Sequence, residues 1–297
     1  MPNSEPLALT AKCVALGSCF ADRIGARMGE SYLRVETNPV GIHYNPVSLA
    51  RSLASHSAPQ LIAHQGRWRS LDHHGHLSGP TPQECHRALS SAEERLQKAL
   101  EHADVMLLTL GTAQVFEIIT TGRIVANCHR LPQSLFRRRR LTLQESMEAL
   151  SPPLNRWLEK DEGRKVILTV SPVRYLRDGL VDNSRGKSVL LLTCGELEAG
   201  HPRIEYFPAF EILTDELRDY RFYAEDMVQP SPVAVEYIWQ KFSRHYFPPS
   251  IEELTRLAQK VRALEAHRPS RHTDLEHLGE KREALLEQIR ELIPVRE

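Results

Sequence analysis

The distribution of apolar residues along the chain gives the fold class directly. Cys13-Val14-Ala15-Leu16 is a short apolar run that ends in Gly17-Ser18, and beyond it Phe20, Ile24 and Met28 recur at helical spacing. Strand, turn and helix are predicted in that order. The pattern repeats: a helix is expected over residues 91–102, and Asp104 to Leu110 then forms an apolar strand stopped by Gly111. An amphipathic helix over 142–159 precedes a further strand, Lys165 to Val170, broken at Ser171-Pro172. Helices are predicted near 47–54, 184–198 and 231–243, with a last strand at Ile204 to Pro208. Uniformly apolar strands separated by helices imply a parallel sheet covered on both faces. The fold class is therefore α/β, a three-layer doubly wound parallel sheet.

From Pro248 onward the composition shifts to Glu, Lys, Arg and Leu at helical spacing, interrupted near Pro269 and by a polar run through Thr273. This predicts a main domain over 1–247 and a helical extension over 248–297, packed either on the domain or on a second copy of the chain.

Composition narrows the function classes. The 297 residues carry 38 basic and 38 acidic side chains, so no overall field favours nucleic acid. The five cysteines are scattered and form no CxxC pair, which disfavours a disulfide framework or structural zinc. Met1 to Lys12 is polar and no apolar stretch approaches the ~20 residues of a membrane span. A cytoplasmic chain without membrane partners is expected.

In parallel α/β sheets, ligands collect beyond the carboxyl ends of strands, and those ends here carry Ser18, Gly111-Thr112 and Ser171-Pro172. A serine between strand and helix is either a nucleophile served by the helix N-terminus or a simple helix cap. Arg137 to Arg140 form a basic run that suits either an anionic partner or a solvated loop. His73, His74 and His76 crowd a glycine loop without the i, i+4 spacing of a helical metal pair, and no metal is expected there. Cys19 and Cys128 are thiol alternatives to Ser18.

Several segments together carry a family resemblance. Gly17-Ser18-Cys19-Phe20-Ala21 is followed in order by Asn38-Pro39-Val40-Gly41-Ile42, Leu110-Gly111-Thr112-Ala113, Asn127-Cys128-His129, Thr169 to Arg174 and Leu217 to Tyr223. With these the chain resembles the GSCFA family over roughly residues 13–247. The resemblance implies a fold similar to SGNH hydrolases, with flavodoxin-like winding, and ester hydrolysis or acyl transfer without a cofactor. By the same resemblance Ser18 is the nucleophile; its own amide, Gly41 or Gly111, and Asn127 are oxyanion donors. Thr112, His74 and Arg174 then line the substrate site.

The resemblance also implies an Asp-x-x-His near the end of the domain, where the chain has Asp226-Met227-Val228-Gln229. A glutamine side chain cannot take up and return a proton near neutral pH. Tyr175 likewise stands where the family often has histidine. His129 is the first candidate for a replacement base, with His43 and His74 behind it. Two readings follow: a serine esterase or acyltransferase acting on a small polar or glycan ester, with or without a separate acyl donor, or a protein that keeps the pocket and binds a ligand or partner without turnover.

Overall fold

The computed structural model describes residues 5–54, 59–266 and 272–294. Ten strands are described: β1 (Lys12–Gly17), β2 (Arg34–Thr37), β3 (Leu61–His64), β4 (Arg67–Ser70), β5 (Val105–Leu110), β6 (Gln114–Ile118), β7 (Ile124–Val125), β8 (Phe136–Arg140), β9 (Lys165–Val170) and β10 (Ile204–Tyr206). The helices are α1 (Cys19–Glu30), α2 (Pro46–Leu53), α3 (Pro82–His102), α4 (Leu143–Leu158), α5 (Gly179–Gly200), the single turn α6 (Ala209–Glu211) continued by a π-helix (Ile212–Leu217), α7 (Pro232–Tyr246), α8 (Ser250–Ala266) and α9 (His272–Leu292).

The central sheet has the order β10-β9-β5-β1-β2, and every pairing in it is parallel. Counted along the chain this is the 2-1-3-4-5 winding, which reverses direction between β1 and β5. Both strands are buried on their two faces, as their uninterrupted apolar sequences require. Alternate residues serve different cores. Cys13 and Ala15 join α1 and α7 through Phe20, Ile24, Trp239 and Phe242, whereas Val14 and Leu16 join α3 and α4 through Leu89, Leu96, Leu150 and Leu154. The result is the three-layer, doubly wound α/β arrangement expected from the pattern.

Local chemistry sets the helix starts. Thr142 and Glu145 form a capping box at α4, and Thr81 and Ser231 cap α3 and α7 just ahead of a proline in the first turn. Helix α3 begins nine residues before the expected 91, because the buried Cys85 and Leu89 extend its apolar stripe through a polar stretch. The basic run at 137–140, for which a solvated loop is one reading of the sequence, is β8 in a small antiparallel sheet of order β7-β6-β8. Its charges are paired along the strand: Arg139 Nε is 2.6 Å from Glu117 and its Nη2 is 2.8 Å from Glu145.

The C-terminal helices pack on the main core. Ile251, Leu254, Leu257 and Val261 of α8 and Leu285 and Ile289 of α9 share one apolar cluster with α1 and α7, and Arg262 donates to the Glu30 carbonyl at the end of α1. The break expected near Pro269 falls outside the described residues. No helix among the described residues is long and apolar enough to cross a membrane.

Candidate functional site

The loop between β1 and α1 is fixed from several directions. Gly17 has φ of +127°, and a Cβ on it would stand 2.1 Å from the Thr109 carbonyl oxygen of β5. Its amide donates to Asn38 Oδ1 at 2.8 Å, and Asn38 Nδ2 in turn donates to Asp22 Oδ1 at 2.7 Å. The His43 amide donates to the Gly17 carbonyl at 3.0 Å. The backbone is thereby turned so that Ser18 becomes the N-cap of α1, with Oγ accepting the Phe20 amide at 3.2 Å.

Ser18 lies at the reversal point of the sheet order and lines a narrow cleft. Cys19, Tyr44, Gly111, Thr112, Arg174 and Tyr175 are among the other walls. The cleft offers about 30 Å³, room for about one or two water molecules. Ser18 itself is only 1% exposed. The serine is therefore recessed in a cleft whose walls include Tyr44 and Tyr175.

Of the residues singled out from sequence, Ser18, Gly111, Thr112 and Arg174 meet in this cleft. The amides assigned by resemblance to an oxyanion hole are already engaged. Ser18 N–H donates to Thr109 O at 3.0 Å, Gly41 N–H to Asn38 O at 2.8 Å, and Gly111 N–H to Tyr44 O at 2.8 Å. Gly41 instead provides close approach: at φ of +87°, a Cβ would stand 2.3 Å from His74 Cβ. Arg174 stacks its guanidinium 4.0 Å from the Tyr223 ring centre and 5.2 Å from that of Tyr220.

Asn127, His129 and His74 belong to a neighbouring cluster rather than to the walls of the cleft. Asn127 Oδ1 accepts the His129 amide at 2.8 Å, and His129 Nε2 lies 2.7 Å from the Ser70 carbonyl. Burial holds the His129 imidazole below its ordinary pKa, and one of its nitrogens is committed to backbone. His74 Nδ1 faces His76 Nδ1 at 2.8 Å. His43 Nε2 is 2.9 Å from the Asp72 carbonyl, and burial pushes its pKa down to about 4.

Position 229 does approach the loop that carries Ser18. The Gln229 side-chain amide lies 3.8 Å from Cys19 Sγ, one residue beyond Ser18. Asp226 Oδ1 accepts the backbone amides of Val228 and Gln229, both at 2.9 Å. Those two donors hold the Asp226 carboxyl below its usual range. Tyr175, the other departure from the family pattern, stands in the cleft wall, with its hydroxyl accepting from Arg138 at 2.8 Å. Burial raises the thiols of Cys19 and Cys128, the latter to about 11, which keeps both protonated near neutral pH.

A larger cavity of about 770 Å³ shares no wall residue with the Ser18 cleft. Arg51, Asp72 and Arg123 line it as an internal ion-pair cluster, with Arg123 3.2 Å from Asp72. Charged side chains satisfied by each other do not point to chemistry on a ligand.

Sequence reasoning missed Lys187. It is 2% exposed and donates to the carbonyls of Gly111, at 2.7 Å, and Ser171, at 2.6 Å, immediately past β5 and β9. A signal was present: Lys187 continues the buried stripe of Leu190, Cys194 and Leu197 on α5 at spacings of three and four.

The model of the GSCFA family matches residues 12–242. Among solved structures, an acetyl xylan esterase from the rumen bacterium Butyrivibrio proteoclasticus is similar at 11% identity and a TM-score of 0.42. That match covers 81% of this chain, which spans 64% of the esterase structure's length. No curated protein matches the chain.

Proposed function

The chain belongs to the GSCFA family, and from that premise we propose that it is a serine esterase or acyltransferase acting through Ser18 on a small polar or glycan ester. The observation that carries this reading is the position of Ser18: it caps α1 at the reversal of the sheet order, in a cleft shared with Gly111, Thr112 and Arg174. In the proposed reaction Oγ attacks the ester carbonyl and a new C–O bond forms. The tetrahedral oxyanion is favoured by the positive end of α1. Its collapse breaks the bond to the leaving alkoxide, which takes up the proton given up by Ser18 Oγ and departs as the alcohol; water or an acceptor hydroxyl then attacks the acyl group and returns a proton to Oγ.

A second reading is favoured by Gln229. With no imidazole at that position and Asp226 Oδ1 capping its own turn, the cleft suits a protein that binds a ligand or partner without proton transfer. Turnover of an aryl acetate and covalent labelling by a fluorophosphonate separate the two. A Ser18-dependent signal that disappears in Ser18→Ala supports the enzyme. A folded wild type that neither turns over nor labels, together with labelling in Gln229→His, supports the binding protein.

A further inference from the structure

We propose that Lys187 is a positioning residue of the Ser18 site, tying the carbonyls of Gly111 and Ser171 to one nitrogen and thereby setting the spacing of the two cleft walls around the serine. The inference rests on the reading of Ser18 as nucleophile.

The geometry is specific. Gly111 and Ser171 are the first residues past adjacent strands β5 and β9, and both line the Ser18 cleft. Strand ends leave carbonyls without ladder partners, and a single Nζ satisfies these two at 2.7 and 2.6 Å. Gly111 is in direct reach of the nucleophile, since a Cβ built on it would stand 3.2 Å from Ser18 Cβ and 3.1 Å from the Tyr44 ring. A shift of the Gly111 carbonyl therefore moves the wall that faces Ser18. The next peptide continues the connection, because the Thr112 amide donates to the Tyr44 carbonyl at 2.9 Å. Lys187, Gly111, Thr112 and Tyr44 form one relay across the cleft rim.

Packing alone does not call for a lysine here. Leu190, Cys194 and Leu197 complete the same stripe with apolar side chains, and an apolar residue at 187 would avoid taking an amine out of water. Burial pushes the Lys187 pKa down to about 7. Charged or neutral, the amine has at least two N–H groups, one for each carbonyl. Nζ bonds to carbonyls and not to Ser18, so the lysine acts on the reaction through the walls.

The test uses the full chain with Lys187→Met and Lys187→Gln. Three quantities are followed: melting temperature, Ser18 labelling by a fluorophosphonate with aryl acetate kinetics, and iodoacetamide alkylation of Cys19 against Cys128 by peptide mass. The proposal expects folded Lys187→Met to label about tenfold or more slowly, with kcat falling and KM nearly unchanged. Cys19 alkylation, which needs no turnover, is expected to rise about fivefold or more as the wall loosens, with Cys128 unchanged; Lys187→Gln, keeping a donor, falls between. Labelling and Cys19 alkylation within about twofold of wild type in a folded variant overturn the proposal, and so does a chain that folds with neither replacement, which assigns the lysine to folding alone. A wild type that never labels defeats the esterase reading only, because Cys19 alkylation still decides Lys187.

Discussion

Gly17 presses its backbone against the carbonyl of Thr109: with φ of +127°, a Cβ there would lie 2.1 Å from that oxygen. This contact is what lets β1 stay in register with β5 and still turn Ser18 onto the end of α1. Any side chain at 17 requires β1 to separate from β5 or the turn to change. Gly17→Ala is expected to cost about 3 kcal/mol or more, combining left-region strain with the steric conflict. Denaturant unfolding measures the loss, and a cost under about 1 kcal/mol would show that the turn adapts.

Position 229 gives the second prediction. The Gln229 amide touches Cys19 rather than Ser18, and Asp226 is occupied by backbone donors. Gln229→His places a titratable ring beside the loop that carries Ser18, with Asp226 Oδ1 already engaged by backbone amides. Ser18 labelling should rise by about tenfold, well below the gain from a fully oriented base. His129→Ala, by contrast, should leave labelling per folded molecule within about twofold, because that ring is committed to the Ser70 carbonyl. A loss of labelling in folded His129→Ala would place it in the reaction path.

The parts of this architecture that the sequence made legible are those where burial acts on whole segments. The runs at 13–16, 104–110 and 165–170 became β1, β5 and β9 because parallel central strands must be apolar on both faces. Ser18, Gly111 and Ser171 then followed as strand ends that share one edge. What escaped was set by long-range pairing. The strand β2 is half-buried along its length, and β8 is FRRRR, which no apolar pattern marks; it exists because Glu117 and Glu145 meet its arginines. His129 was read as near the site from its motif, yet its ring is turned to Ser70 by contacts that no local pattern contains. Lys187 lay on a readable stripe, but its meaning depends on two carbonyls 76 and 16 residues away.

The cleft geometry predicts acyl selectivity. With about 30 Å³ beside Ser18, bounded by Tyr44 and Tyr175, an acetyl group is the size that fits without rearrangement. Aryl acetate should be preferred over the octanoate by about tenfold or more in kcat/KM, since each misfitting methylene works against the walls. Tyr175→Ala removes one wall and should narrow that ratio severalfold. Equal turnover of both esters by the wild type would mean that the cleft opens before chemistry.

Acid should loosen the same loop through His43. Its amide holds the Gly17 carbonyl, and its buried ring has a folded pKa of about 4 against an ordinary value of 6.5, chiefly because burial penalises the charge. Above pH 6.5 both folded and unfolded chains carry the neutral ring, and its contribution to stability is fully present. Between 6.5 and 4 the unfolded chain takes up a proton that the folded chain refuses, so that contribution is lost as pH falls, by about 2–3 kcal/mol at pH 4.5. In His43→Gln the titration is absent, and the difference in unfolding free energy between pH 7.5 and 4.5 should shrink by that amount. An unchanged pH dependence in this variant would mean that other groups govern acid unfolding and that the loop beneath Ser18 is not where protons enter first.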